Sequence, residues 1–343
     1  MTKEFQIRMA KIEDRKHIMG FIKSYWSDSH ILAHDQILFD FQHLENDRLL
    51  FAIALDLKDK IVGVLGYISY DHLKANQDIV MALWKVIPNL SDPFLGVKLI
   101  HFIQESVKPK FIHCVGITKN TIGIYKYLGF NTGKLHHYAA FNKNCKKFKI
   151  AVPPANLKSI NESKSYIFTG TSSLAKSLDN LYISSFYKKK IPYKSRDFFV
   201  KRYENHPYFQ YRFHEVTSEN FFKGFIVSRV IKYNGSHALR IIEVVAEDDL
   251  IGDIIDEFAT TISSSTFEYV DVYASSINNK TFAIKNFEDI SSSNDIIVPD
   301  HFEPYEKKNI DIHFMTSNKQ GTILFKGDGD QDRPSIKSTT KSI

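Results

Sequence analysis

The stretch VIPNLSDPFLGVKLIHFI, Val86 to Ile103, runs the end of an apolar strand into a polar turn and then into an amphipathic helix. A helix opening beside such a turn offers backbone N–H groups and the positive end of its dipole. Together these attract a phosphate or pyrophosphate without a cationic side chain. Val86, Ile87 and Pro88 end the strand; Phe94, Leu95, Gly96 and Val97 open the helix. Glycine at 96 permits close approach to the backbone. Asp92 works against an anion unless its carboxylate caps the helix or points to solvent. An ordinary strand-to-helix turn fits the same residues equally well.

Other chemistry-bearing patterns narrow quickly. In GDGDQDRP the alternating Asp328, Asp330 and Asp332 suggest calcium, but Arg333 falls where an EF-hand needs Gly and Thr339 where it needs the bidentate Glu. His136 and His137 are adjacent rather than one helical turn apart, so no metal site is expected. Cys114 lies in the apolar run FIHCVGI and reads as a buried thiol; two cysteines make no disulfide framework. The 343 residues carry a net charge of +6, which permits anionic ligands without arguing for nucleic acid. The charged start, MTKEFQIRMAKIEDRK, is unlike a signal peptide, and no run is apolar and long enough for a membrane span, so the expectation is a cytoplasmic protein with no membrane partner.

The positioning elements read as mixed α/β. EFQIRMA is a strand, KIEDRKHIMGFIKSYW a helix, and LLFAIALDLKDKIVGVLGYISY a hairpin turned at DLKDK. DIVMALWKVIP is a strand, DPFLGVKLIHFIQESV a helix, FIHCVGI a strand, NTIGIYKYLGF a short helix and HHYAAFN a last strand. AVPPANLKSINESKS then reads as a linker. The order repeats: KGFIVSRVIKY matches the hairpin, HALRIIEVVAEDDLIGDIIDEFATTI the strand–turn–helix, EYVDVYAS the next strand and NNKTFAIKNFED the short helix. Gly96 and Gly252 stand 252 − 96 = 156 apart, and Asn120 and Asn279 stand 279 − 120 = 159 apart, as a duplication would place them. The expected domains are 1–150, a linker at 151–165, a second domain at 166–330 and a polar tail at 331–343.

The chain resembles the GNAT superfamily of acyl-CoA-dependent N-acyltransferases. VIPNLSDPFLGVKLIHFI resembles the CoA pyrophosphate motif, with Ser91 at the Arg position and Phe94 at the first Gly. FIHCVGITKN resembles the strand that follows. NTIGIYKYLGF resembles the N-x-x-A-x-x-Y-x-x-x-G-F ending, with Asn120, Tyr125, Gly129 and Phe130 in register. The second copy keeps Gly252 but has Glu247 at the Arg position and Ile284 at the Tyr position, so it is expected to have lost the CoA site. Further, YWSDSHILAHDQILFDF, KRYENHPYFQYRF, HALRIIEVV and LFKGDGDQDRP look like sugar-nucleotide N-acyltransferases of surface-polysaccharide clusters.

The resemblance implies two GNAT-like domains, each a mixed, mostly antiparallel sheet flanked by helices. It implies coenzyme A held by Val86, Ile87, Pro88, Phe94, Leu95, Gly96, Val97, Asn120 and Tyr125, with the strand before the turn splaying from its neighbour so that its N–H groups meet pantetheine. Tyr125 matches the tyrosine that protonates the leaving thiolate; packing on a short helix is its plain alternative. His30, in the W-x-x-x-H-I-L pattern, is favoured as the base over His34, Asp35, Asp71 and Glu243, or it merely orders a loop. A dTDP-linked amino sugar would need aromatic faces and phosphate-binding cations. Trp26, His34, Tyr203, His206, Tyr208 and Tyr211 are the candidates for the first need, with Arg212 in the same cluster, and Arg229, Arg240, Lys326 and Arg333 for the second.

The implied activity moves an acetyl or 3-hydroxybutanoyl group from acyl-CoA to the amine of a dTDP-linked amino-deoxy sugar by direct attack, for O-antigen or capsule precursors. The expected partners are these two substrates, with a monomer or homodimer left open. Two alternatives stand: a tandem GNAT aminoacyltransferase acting on cell-wall precursors with aminoacyl-tRNA, and a non-catalytic binding module.

Overall fold

The first sheet grows from strands whose alternate residues face different helices. The computed structural model describes residues 5–71, 77–160, 165–262, 265–275, 284–293, 295–317 and 322–335. They fall into two compact units, one within Met1–Cys114, His206–Tyr208 and Arg333–Ile343, the other within Val115–Asn205 and Phe209–Asp332.

The first unit contains β1 (Gln6–Met9), α1 (Arg15–Tyr25), α2 (Gln36–His43), β2 (Phe51–Leu55), β3 (Ile61–Ser69), β4 (Ile79–Val86), α3 (Leu95–Val107) and the start of β5 (Ile112–Ile117). The strands lie in the order β1-β2-β3-β4-β5, antiparallel throughout except for β4 and β5. Asp56 closes the β2–β3 turn by accepting from the N–H groups of Lys58 at 2.8 Å and Lys60 at 2.9 Å, as DLKDK suggests. Phe51, Ile53 and Leu55 share a core with Ile18, Phe21 and Ile22 of α1 and Leu38 and Phe39 of α2. The period of two turns Ala54 to the other face, where a Cβ on Gly63 would stand 3.2 Å from Leu99 of α3. Small residues there admit the helix. Each fully buried aliphatic of α3, such as Leu99 or Ile103, contributes about 2 kcal/mol.

Two irregularities shape the end of β4. The register passes from Gly66↔Ala82 to Val64↔Lys85, so β4 carries one residue more than β3, and Leu83 takes the strain with φ of 50°. The parallel register of β4 with β5 covers Ile79↔Ile112 and Val80↔His113.

The second unit contains α4 (Ile122–Tyr127), β6 (Asn131–Lys134), β7 (His136–Phe141), β8 (Ile167–Thr171), α5 (Ala175–Ile183), α6 (Arg196–Phe199), β9 (Tyr211–Ser218), β10 (Phe221–Tyr233), β11 (Ser236–Ala246), α7 (Ile251–Phe258), β12 (Tyr269–Ala274), β13 (Glu288–Asp289) and β14 (His313–Thr316). One sheet runs β8-β9-β10-β11-β12-β7-β13, parallel only between β11 and β12. Gly96 and Gly252 each stand second in the helix that follows the corresponding strand, α3 and α7, which matches the expected repeat.

Four features depart from the sequence reading. β7, expected to close the first sheet, pairs with β12 from Phe141↔Tyr269 to His136↔Ala274. Its residues Tyr138 to Phe141 are buried on both faces, which suits an interior strand of the larger sheet. The start of the stretch expected to be a linker is docked: the Glu268 carboxylate accepts the Ala151 N–H, next to those of Lys149 and Ile150, and Val152 bridges Ile297. The first compact unit runs without a break to Cys114. KGFIVSRVIKY is a single strand, β10, whose hairpin mates are β9 and β11. Of the second short helix, 278–283 lie outside the described residues, as does Asn279, while 284–289 are not helical. There Asn286 gives its N–H to Asp256 at 2.6 Å and Phe287 enters the core, so the backbone is bonded to tertiary partners instead of to itself.

Candidate functional site

The opening turn of α3 is built around an indole and a carboxylate. Trp84, in the bulge of β4, donates its Nε1–H to the Gly96 carbonyl at 3.1 Å. A Cβ on Gly96 would stand 3.0 Å from that ring, so glycine is needed here to seat the tryptophan. Phe94 is the N-cap and 64% exposed, pointing away from the core. Asp92 accepts the Phe94 N–H at 2.9 Å and an ion pair from Lys98 at 2.6 Å; that bond to Lys98 holds its carboxyl below the usual range. The carboxylate thus caps the helix. Leu95 N–H reaches the Asp92 carbonyl at 3.3 Å and Lys98 N–H the Phe94 carbonyl at 3.0 Å. Between them, helix geometry leaves the N–H groups of Gly96 and Val97 with no carbonyl partner among the described residues. Pro88 and Asn89 are exposed, while Ile87 packs on the core shared by Leu83, Leu32 and Tyr208.

The segment between α1 and α2 joins that same core. His30 caps a 3-10 turn, Ile31–Ala33, with Leu32 N–H 3.3 Å from its Nδ1. Its Nε2 accepts from the Arg333 guanidinium at 3.1 Å. Trp26, 41% exposed, sets its ring edge-on to His30 with centroids 6.0 Å apart. His34 is exposed and bonds the Asp28 carbonyl. Asp35 is buried, caps α2 through Leu38 N–H at 2.8 Å and accepts the Tyr208 hydroxyl at 2.5 Å. Burial, then that carboxylate, pushes the Tyr208 phenol up to about 12, so it stays a donor. His206 packs edge-on to Phe41 at 4.9 Å. His30, Trp26, Arg333, Tyr208 and Asp35 thus gather in one unit. Nothing in the sequence marks the Arg333 contact, which spans 303 positions.

Tyr125 belongs to the second unit and is buried on α4. Gly129, with φ of 83°, gives its N–H to the Lys126 carbonyl, and Phe130 gives its N–H to the Tyr125 carbonyl, both at 3.0 Å. This is a Schellman ending with its usual apolar contact, the Tyr125 and Phe130 rings meeting at 5.9 Å. The Y-x-x-x-G-F spacing is therefore explained by how a short helix stops. Asn120 lies exposed in the preceding 3-10 turn, Lys119–Thr121.

Arg229, Arg240 and Lys326 face acids. Arg240, fully buried, meets Asp271 at 2.7 Å and Asp300 at 2.7 Å, and Lys326 also pairs with Asp300. Arg229 meets Asp332 at 2.7 Å, and Tyr211 donates to the same carboxylate at 2.8 Å. Tyr203 donates to Glu243, which pairs with buried Lys194; Lys194 meets Asp328 at 2.6 Å. Within KRYENHPYFQYRF, Tyr203 and Tyr211 belong to the second unit and His206 and Tyr208 to the first. The acids Asp328 and Asp332 of GDGDQDRP are buried counter-ions. Phe325 bridges Ala274 of β12, and Gly327 presses so closely on Ile242 of β11 that a Cβ would be 2.8 Å from its carbonyl oxygen. Residues 322–332 thus cover the part of β11 that follows its parallel register with β12.

A cleft of about 950 Å³ in the first unit lies at the far end of α3, beside Lys11, Arg48, Tyr67, Gln77 and Lys108. It is well removed along α3 from the Gly96 turn. Among the described residues no helix is long and apolar enough to cross a membrane, and no group of three His, Cys, Asp or Glu side chains forms a metal site.

No family model and no curated protein matches the chain. Among solved structures it is similar to a GCN5-related N-acetyltransferase from Anabaena variabilis ATCC 29413, at 12% identity over 91% of this chain and 72% of that one, with a TM-score of 0.56. It is also similar to a conserved protein of unknown function from Enterococcus faecalis V583, named as a probable N-acyltransferase, at 9% identity over 90% and 72%, with a TM-score of 0.55. At such identities the likeness is one of architecture: this chain has the fold of the GCN5-related N-acetyltransferases.

Proposed function

We propose that the chain is an acyl-CoA-dependent N-acyltransferase whose donor binds at the start of α3. The observation that carries this reading is the pair of N–H groups on Gly96 and Val97, left without carbonyl partners at a helix N-terminus. They suit one diphosphate. Pantetheine would then follow β4 beyond Val80, where its register with β5 ends. The second unit is proposed to have no donor site, because residues 322–332 cover the corresponding part of β11.

In the reaction the amine nitrogen bonds to the thioester carbon, the carbon–sulfur bond breaks, and the amine proton passes to His30 Nε2. The departing thiolate takes up one proton, the role that the sequence resemblance gives to Tyr125, so the net change moves one proton from nitrogen to sulfur. We assign the acceptor as a dTDP-linked amino-deoxy sugar and the acyl group as acetyl or 3-hydroxybutanoyl. Trp26 supplies an exposed aromatic face for the base.

A second reading has one observation in its favour. The Asp92 carboxylate already sits at the α3 N-terminus, so the chain could be a binding module without a donor site. Calorimetry with CoA, followed by mass spectrometry of acyl-CoA and amino-sugar nucleotide mixtures, separates the two. Heat and an amide product support the enzyme; no heat at millimolar CoA supports the module.

A further inference from the structure

We propose that Arg333 is a positioning residue that covers the base of the reaction until a diphosphate draws it away. The inference rests on the acyltransferase reading and on His30 as proton acceptor.

A neutral imidazole has one lone pair to give, yet two donors meet the His30 ring, Leu32 N–H at 3.3 Å and Arg333 at 3.1 Å. The charged donor is the stronger and the closer, so it holds Nε2. Among the described residues Asp28 pairs with Lys23 at 3.7 Å, and Asp35 takes Tyr208 and Leu38. With Arg333 in place, Nε2 cannot take the proton of an attacking amine. The guanidinium matches a diphosphate better than it matches a single ring nitrogen, since it can make two parallel bonds to phosphate oxygens. Binding of a diphosphate therefore uncovers Nε2 and fixes the ligand in one step.

Two ligands carry a diphosphate, the nucleotide-linked acceptor and CoA, and the experiment separates them. Carbethoxylation of His30, located by mass spectrometry, reads access to the unprotonated nitrogen. The full chain is treated alone, with dTDP and with CoA, as wild type, Arg333→Ala and Arg333→Lys. We expect the His30 rate to rise severalfold in Arg333→Ala, and in wild type on adding dTDP but not CoA. The reverse response to the two ligands would assign the latch to the donor. In turnover, Arg333→Ala raises the KM for the acceptor about tenfold, the worth of one charged hydrogen bond, leaves the KM for acyl-CoA unchanged, and is partly rescued by Arg333→Lys. An unchanged His30 rate in Arg333→Ala overturns the proposal. A chain without turnover whose His30 still responds to dTDP keeps the latch and loses the acyltransferase reading.

Discussion

Asp92→Asn removes one charge from the mouth of the proposed donor site and little else. Asn caps a helix as well as Asp does, so the bond to Phe94 N–H and the stability of α3 are expected to persist. The carboxylate stands where a diphosphate would approach Gly96 and Val97. At about 6 Å, two unit charges repel by about 0.7 kcal/mol in bulk water and about 3 kcal/mol near a protein surface. Lys98 offsets part of this, but its side chain is 57% exposed and its contribution is screened. A net gain of about 1 kcal/mol remains, and CoA should bind about fivefold more tightly to Asp92→Asn. Lys98→Met unbalances the same carboxylate and should weaken CoA by a similar factor. Titration calorimetry at low salt measures both, and the gap should narrow as salt is added. If Asp92→Asn binds CoA no better than wild type, or more weakly, the diphosphate does not sit at the start of α3.

Three further outcomes follow from the geometry. Lys194→Met leaves Glu243 and Asp328 buried without their cation and should cost about 3–5 kcal/mol in urea denaturation; the added changes Glu243→Gln and Asp328→Asn should recover most of it. Tyr125→Phe keeps the ring contact with Phe130, so the melting temperature should hold while kcat falls at least tenfold; unchanged kcat would leave Tyr125 a packing residue. His214 is held down to about 4, chiefly by burial and then by Arg212. The unfolded chain therefore takes up this proton first, near pH 6.5, and stability falls as pH drops from there toward 4, by up to about 1.4 kcal/mol per unit. His214→Gln should flatten that part of the melting profile, and an identical profile would contradict the assignment.

The local elements were legible because each is specified by its own residues. The DLKDK turn is closed by Asp56, the β2 alternation separates two packing faces, and Gly129 ends α4 in the one conformation that spacing allows. The same reasoning recovered Gly96 and Gly252 as equivalent positions in two helices. What was not legible depends on distant partners. Nothing within HHYAAFN states that it will pair with β12, since an apolar strand suits any sheet with both faces covered. GDGDQDRP reads as solvated because its counter-ions, Lys194 and Arg229, lie far back in the sequence. Arg240 and Lys326 read as phosphate ligands for the same reason. Their residue types were right for anions, and the anions are Asp271 and Asp300. Nor does the sequence mark Trp84, whose indole explains the surviving glycine of the turn.

The most direct test of the central claim is a crystal structure of the chain grown with CoA. The account predicts diphosphate oxygens within about 3 Å of the backbone nitrogens of Gly96 and Val97. A diphosphate held instead by Lys11, Arg48 and Lys108 in the cleft at the other end of α3, or CoA bound nowhere in the first unit, would contradict it.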